Sequence, residues 1–342
     1  MQLKKAMTNT HKTDLVIIGA GPTGLFAIFE AGMLKIKCHV IDTLETIGGQ
    51  CLALYPEKPI YDIPAHPSIL ASELIAKLEE QALPFNPTFH LNQLVNKIEK
   101  QNDGSFLVTT SKNTQINCKA IIIAAGCGAF GFNRPPLEGI EEYEGKSVFY
   151  AVKSKHEFAG KTVVIAGGGD SAVDWTLSLA DIAKKVYVVH RRDKFRCAPE
   201  SAEKMKELAA HKKIELVIPY QLEGLVGSHG RLADVLVKDF DGNIKSLEAD
   251  YLLPFFGLAM ELGPIANWGL NLHKNHIEVD PATMMSSEPG IYAIGDIATY
   301  KNKLKLILTG FAEAASACHD IYKIVHPNEV FHFEYSTSKG VK

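Results

Sequence analysis

The chain has 342 residues, a length that suits about two domains at ~150 residues each. It is 46% hydrophobic and 22% charged, which provides for a sizeable core and excludes global disorder. The 36 basic and 39 acidic residues leave a net charge of −3, so a general binder of nucleic acid or of membrane surfaces is not expected, and any charged partner must be met by a local patch.

Residues 1–11 (MQLKKAMTNTH) carry lysines but no apolar stretch, unlike a secretory signal. No apolar run reaches the ~20 residues that span a bilayer. A cytoplasmic protein is expected. Six cysteines stand at 38, 51, 118, 127, 197 and 318, and no two form a C-x-x-C. In a reducing compartment each reads as a small apolar filler. The 13 histidines show no metal-ligand spacing, and no metal is expected.

Asp14 to Ala20 (DLVIIGA) predicts a buried strand that stops at glycine. Gly19-x-Gly21-x-x-Gly24 follows, then helical apolar spacing over Leu25–Leu34, then a second strand over Lys37–Ile41 that ends at Asp42. This is a βαβ unit with a dinucleotide fingerprint. The glycines let backbone amides and a helix N-terminus approach a pyrophosphate, and the acid after the second strand accepts hydrogen bonds from ribose hydroxyls. A glycine turn serving only tight packing would leave that acid unexplained.

Ala120 to Gly126 (AIIIAAG) predicts another buried strand that ends in a small-residue turn. The first pattern then recurs: strand Lys161–Ala166, Gly167-x-Gly169-x-x-Ala172, a helix over Ser171–Ala183 and strand Lys185–Val189. Asp42 lies 23 residues after Gly19, and His190 lies 23 residues after Gly167. The acidic position of the first unit is therefore His190 in the second, followed by Arg191 and Arg192. A carboxylate there repels a 2′-phosphate, whereas guanidiniums bind one through charge-assisted hydrogen bonds. The first site is expected to hold a cofactor without a 2′-phosphate and the second NADP(H), with Gly167, Gly169, Asp170, Ser171, Ala172, His190, Arg191, Arg192 and Arg196 around it. Lys194 adds to the local field. Residues 126–255 carry 18 basic and 19 acidic residues, so the positive charge is local to this turn.

Tyr251 to Gly257 (YLLPFFG) matches Ala120–Gly126 in character. The fold expected is α/β: two Rossmann-like dinucleotide-binding domains, with an NADP domain at 126–255 inserted into a discontinuous FAD domain at 1–125 and 256–342. Two dinucleotide sites in one chain imply electron transfer between a tightly held FAD and an exchangeable nicotinamide. Further on, Gly290 to Asp296 (GIYAIGD) predicts a short strand and a turn that presents Asp296 toward a ribityl hydroxyl. Thr309–Val325 predicts a helix whose N-terminal dipole would favour negative charge on a reduced flavin. Lys301, Lys303 and Lys305 alternate between these elements and form a candidate docking patch for an acidic partner.

These motifs resemble the two-dinucleotide-domain flavoproteins, above all the thioredoxin reductase branch. The carriers are GGGDSA at 167–172, HRRDKFR at 190–196, GIYAIGD at 290–296 and Gly48-Gly49-Gln50. One feature departs from that branch: DSAVDWTLSLADIA, after the second glycine motif, holds no cysteine, and Cys51 has no partner thiol nearby in sequence. A dithiol mechanism needs an attacking and a resolving thiol. The chain is most similar to the thioredoxin-reductase-like ferredoxin–NADP(+) reductases, which lack that pair. It shares with them the Gln50–Lys58 stretch and the tail motif Tyr335-Ser336-Thr337-Ser338.

The resemblance implies FAD contacts at Gly19, Gly21, Thr23, Gly24, Asp42, Gln50, Tyr55, Val95, Phe130, Asp296 and Thr337. It implies that Tyr55 and Tyr335 cover the two faces of the flavin and that Tyr335 gates nicotinamide access. It also implies a homodimer that passes a hydride from NADPH to flavin N5, then single electrons to a ferredoxin or flavodoxin. Alternatives are an NADPH-dependent reductase of another acceptor (free flavin, a quinone or a disulfide protein) and a non-enzymatic redox or nucleotide sensor.

Overall fold

Short runs of β-branched residues become the central strands of two separate parallel sheets. The structure, a computed structural model, describes residues 10–329. These divide into two compact units: one from the described residues up to Ala129 and from Met260 onward, the other Phe130–Ala259. The chain crosses between them in strands Ala129–Phe132 and Leu258–Glu261, which pair with each other.

In the first unit a five-stranded parallel sheet runs in the order Ile291–Ala293, Ala120–Ile123, Leu15–Ile18, Cys38–Ile41, Thr88–His90. Its central strands are apolar throughout because both faces are covered. On one face Leu15, Ile17, Val40 and Ile122 form a core with Leu25 and Ile28 of helix Pro22–Met33, Leu74 and Ile75 of helix Ala71–Ala82, and Ala314 and Ile321 of helix Ile307–Val325. On the other face Val16, Ile18, Ile41, Ile121 and Ile123 cluster with Phe106, Val108 and Ile116. Those three belong to a second sheet, of strands Thr10–Lys12, Gln115–Cys118, Phe106–Thr110 and Val95–Lys100. Strand Leu15–Ile18 has Cys38–Ile41 on one side and Ala120–Ile123 on the other, which places the Gly19 turn at the crevice where strand order reverses.

The second unit repeats the plan with four parallel strands, in the order Ile214–Val217, Lys185–Val189, Thr162–Ala166, Tyr251–Pro254. An antiparallel meander of Gln221–Ser228, Arg231–Lys238 and Ile244–Glu248 contributes Val235, Val237 and Leu247 to a core with Val164, Val189 and Leu252. Every strand expected from the apolar runs forms, Lys185–Val189 over the residues expected and the others shorter at one or both ends, as at Ala120–Ile123 and Tyr251–Pro254, where small-residue turns begin. The three helices start earlier than their apolar spacing implied, at Pro22, Asp170 and Ile307, because the first turn of a helix needs no buried face of its own, and the second ends at Leu179, short of the expected Ala183.

Candidate cofactor-binding sites

Each glycine of the first fingerprint has a distinct geometric task. Gly19 takes φ +111°, and a β-carbon there would stand 2.3 Å from the Ala124 carbonyl oxygen. One at Gly24 would stand 2.0 Å from the Gly19 carbonyl oxygen, so the helix begins flush against the turn. Gly21 is different. The nearest atom to a β-carbon there is Gly49 Cα at 3.9 Å, so this glycine leaves an open cradle facing the Gly48–Gly49 loop. The Gly48 amide donates to the Ala20 carbonyl at 2.8 Å and ties that loop to the turn. Helix Pro22–Met33 has no side-chain cap and no acid in its first turn, so its N-terminal amides remain available to an anion.

Asp42 closes the other side of the turn. Its Oδ2 accepts from the Ala20 amide at 2.6 Å and its Oδ1 from the Leu44 amide at 2.8 Å. Burial pushes its carboxyl up, while the amides of Leu44, Ala20 and Thr43 pull it back. With three amides upon it, the carboxylate keeps room for one further donor.

The remaining first-unit residues converge from distant positions. Thr23 is wedged between two glycines: a β-carbon would lie 3.3 Å from its Oγ1 at Gly295 and 2.4 Å at Gly310. The Gln50 side chain hydrogen-bonds Cys127, and the Cys51 thiol lies 3.9 Å from the Tyr55 hydroxyl. Lys58 Nζ stands 5.7 Å from the Tyr55 ring centroid. Burial, foremost, pushes the Cys51 thiol up to about 11 and the Tyr55 hydroxyl well above its ordinary range; the Asp296 charge raises both, and raises Cys127 as well. Asp296 therefore shares this pocket electrostatically, yet its carboxylate makes no hydrogen bond among the described residues. An open glycine cradle, free helix amides and an uncommitted carboxylate fit a flavin dinucleotide. Val95 is buried among Val16, Ile18 and Phe106, so any cofactor contact there must come from its backbone. Phe130 lies in the crossing strand Ala129–Phe132, and its side chain is not among those described. Tyr335 and Thr337 lie outside the described residues.

The second unit builds a related cradle with opposite charge. Gly167 takes φ +152°, and its β-carbon would meet the Phe255 carbonyl oxygen at 2.6 Å and Ala172 Cβ at 3.0 Å. Ala172 is fully buried and seats helix Asp170–Leu179 against the strand. Gly169 has only the Arg196 carbonyl oxygen within reach, at 3.9 Å, and is open. The His190 ring covers Gly168, 2.2 Å from where a β-carbon would be, and lies 4.9 Å from the Phe195 ring. The Arg196 amide donates to the Gly168 carbonyl at 2.6 Å, and Asp170 accepts from the Ala198 amide at 3.2 Å. These bonds fold the basic turn back over the helix N-terminus, beside the exposed Ser171. Burial lowers the His190 imidazole, and the charges of Arg191, Arg192 and Arg196 lower it further against a backbone hydrogen bond at Lys194 that raises it. All four cations are exposed, and none forms an ion pair among the described residues. A terminal phosphate is the chemistry such a cluster fits.

The lysine patch expected at 301, 303 and 305 does not exist as a set. Lys303 is buried, with a side chain 5% exposed, and pairs with Glu313, which is 3% exposed. Only Lys301 and Lys305 face solvent, and Lys305 Nζ lies 2.7 Å from His276 Nε2. Glu313 and Cys127 are residues of the first site that the sequence reading did not single out. The one available signal was a carboxylate set among the small residues of GFAEAASA.

Residues 13–314 match the model of the pyridine nucleotide-disulphide oxidoreductase family. A protein of Rickettsia akari named ferredoxin–NADP reductase is 61% identical over 96% of this chain and 98% of its own length. One of the same name from Paramagnetospirillum magneticum is 58% identical over 97% and 98%. The chain belongs to the pyridine nucleotide-disulphide oxidoreductase family, among its ferredoxin–NADP reductases. Solved structures agree on the fold. Thioredoxin reductase of T. acidophilum superposes with a TM-score of 0.80 at 24% identity, covering 92% of this chain and 98% of its own. That of Lactococcus lactis gives 0.79 at 26%, covering 92% and 99%. Family membership makes the chain an oxidoreductase of the two-domain α/β type, with FAD and NADP(H) as cofactors. Among the described residues no helix is long and apolar enough to cross a membrane.

Proposed function

We propose that this enzyme moves electrons between NADP(H) and a ferredoxin, or a flavodoxin in its place, through FAD held in the first unit. The observation that carries the reading is a complete pair of dinucleotide cradles without an activated thiol. All six cysteines are free, and burial raises every one of them, to about 12 at Cys38 and Cys118. A thiol held above its ordinary value stays mostly protonated near neutral pH, which disfavours attack on a disulfide. Bound FAD supplies the step between two-electron and one-electron chemistry that no side chain here supplies.

The protein's own part is orientation. Gly19, Gly21, Gly24 and the free first-turn amides that follow Pro22 receive the pyrophosphate, and Asp42 receives the adenosine ribose. Thr23, Gln50, Tyr55 and Asp296 surround the flavin; the flavin contacts expected of Tyr335 and Thr337 fall outside the described residues. Gly167, Gly169, Asp170, Ser171 and Ala172 carry the nicotinamide dinucleotide, and His190, Arg191, Arg192 and Arg196 select NADP(H) over NAD(H). The domains are FAD-binding (1–125 and 256–342) and NADP-binding (126–255), with bounds four residues before those of the compact units, in a cytoplasmic homodimer. The test is cytochrome c reduction by purified protein with NADPH. Turnover that depends on added ferredoxin supports the reading. Equal turnover without it, or with free flavin or quinone alone, shifts the acceptor class.

A further inference from the structure

The strongest unassigned feature lies one layer behind the flavin pocket. Glu313, in helix Ile307–Val325, is a buried carboxylate with every contact taken. Its Oε2 accepts from the Gly295 amide at 2.7 Å. Its Oε1 accepts from the Tyr300 hydroxyl at 2.7 Å and from the buried Lys303 ammonium. Lys303 Nζ also stands 5.4 Å from the Tyr300 ring centroid. A buried ion pair is a poor way to gain stability, since apolar packing of the same volume often does as well. What this one does is geometric. It joins the helix, the turn before Asp296 and the loop after it at a single carboxylate.

Asp296 has no hydrogen bond of its own among the described residues, so its backbone alone aims it. Three bonds hold that backbone: the Ala298 amide donates to the Gly295 carbonyl and closes the turn over Asp296, and two more lie ahead of Asp296. The Ile294 amide donates to the Ile123 carbonyl at 3.0 Å, and the Gly295 amide donates to Glu313. Gly295 sits at φ +73°, where rotation is otherwise free for a glycine. The geometry points to Glu313 as a positioning residue that aims Asp296 at the flavin, with Tyr300 and Lys303 holding Glu313 in place. The inference rests on the reading of the first unit as the flavin site.

The test uses holoenzyme carrying Glu313→Gln, Glu313→Asp or Tyr300→Phe, each alone and combined with Asp296→Asn. FAD release after dilution is followed by the fluorescence of freed flavin, alongside the visible flavin bands and the melting temperature. Release is expected to quicken about tenfold in Glu313→Gln and about threefold in Tyr300→Phe, the range of one ordinary lost hydrogen bond. Glu313→Asp, which keeps the charge on a shorter arm, should fall between wild type and Glu313→Gln. None of these should add to the effect of Asp296→Asn, because all act through it. A lower melting temperature with unchanged release and bands, or effects that multiply with Asp296→Asn, would overturn the assignment. If Glu313→Gln does not fold, Tyr300→Phe carries the same cycle with the same two outcomes. A wild-type protein that binds no flavin fails the underlying reading; a yellow wild type with multiplying variants fails only the role of Glu313.

Discussion

The carboxylate of Asp42 and the amide of Ala20 meet at 2.6 Å, and this contact makes the proposed receiver of a ribose also the clasp of the first glycine turn. The Leu44 amide occupies its other oxygen. Removing the carboxylate therefore strips acceptors from these amides as well as from the ligand. Asp42→Ala is expected to weaken FAD binding by about 2 kcal/mol or more, roughly thirtyfold in Kd, at ~1.5–3 kcal/mol per hydrogen bond to a charged group. Flavin content after exhaustive dialysis measures it. Wild-type retention would show that the clasp is dispensable.

Gly21 and Gly24 are separable by substitution. A β-carbon at Gly24 would stand 2.0 Å from a backbone oxygen, which cannot swing away, so Gly24→Ala should destabilise the first unit by about 1–3 kcal/mol and lose flavin with it. At Gly21 φ is −72° and the nearest atom is 3.9 Å away, so alanine fits the protein but fills the cradle. Gly21→Ala should melt like wild type once both are stripped of flavin, yet bind FAD at least tenfold more weakly, on the order of a lost close contact. Calorimetry of the stripped proteins with FAD titration decides between the two behaviours. Equal melting and equal affinity in both variants would remove the fingerprint from the site.

Arg191 and Arg192 are exposed and without ion pairs among the described residues, so their substitution disturbs no internal contact. Arg191→Ala with Arg192→Ala should raise the KM for NADPH by tenfold or more and leave that for NADH within about twofold, because only NADPH offers a 2′-phosphate to a guanidinium. Steady-state kinetics with both nucleotides give the ratio. A parallel loss for both would place these arginines outside the specificity pocket.

The strands were legible because runs such as LVII and AIII have a single use in a protein of this size, as the covered interior of a parallel sheet. The charge contrast between Asp42 and His190 was legible because glycine spacing carries register. Contacts between elements far apart in sequence were not. Lys303 reads as one of three alternating surface lysines, and only the fold reveals that Glu313, ten residues on in helix Ile307–Val325, takes it inside. Cys127 reads as a filler, but the turn after Ala120–Ile123 brings it to Gln50. His11, His39 and His90 show no shared spacing, yet three strands bring them together.

That histidine cluster gives the protein an acid-sensitive seam. His39 Nδ1 lies 2.9 Å from His90 Nε2, and the three ring centroids are 5.1 to 5.4 Å apart. His11 Nε2 is buried without a hydrogen-bond partner. Burial, then the charges of His90 and His11, lower His39 from 6.5 to about 4; burial and then His11 lower His90 as well. A histidine held below its unfolded value binds fewer protons in the folded state, so folding is favoured fully above pH 6.5 and loses that contribution as pH falls toward about 4. The seam adjoins the flavin turn, since the His90 carbonyl accepts from the Asp42 amide at 3.1 Å. His39→Gln keeps a polar partner for His90 and removes one titrating ring. Its melting temperature should fall less steeply than that of wild type between pH 6.5 and 4, with the two curves parallel above pH 7. Curves that stay parallel throughout would show that the rings titrate independently of folding, and loss of flavin at pH 5 should then be the same in both proteins.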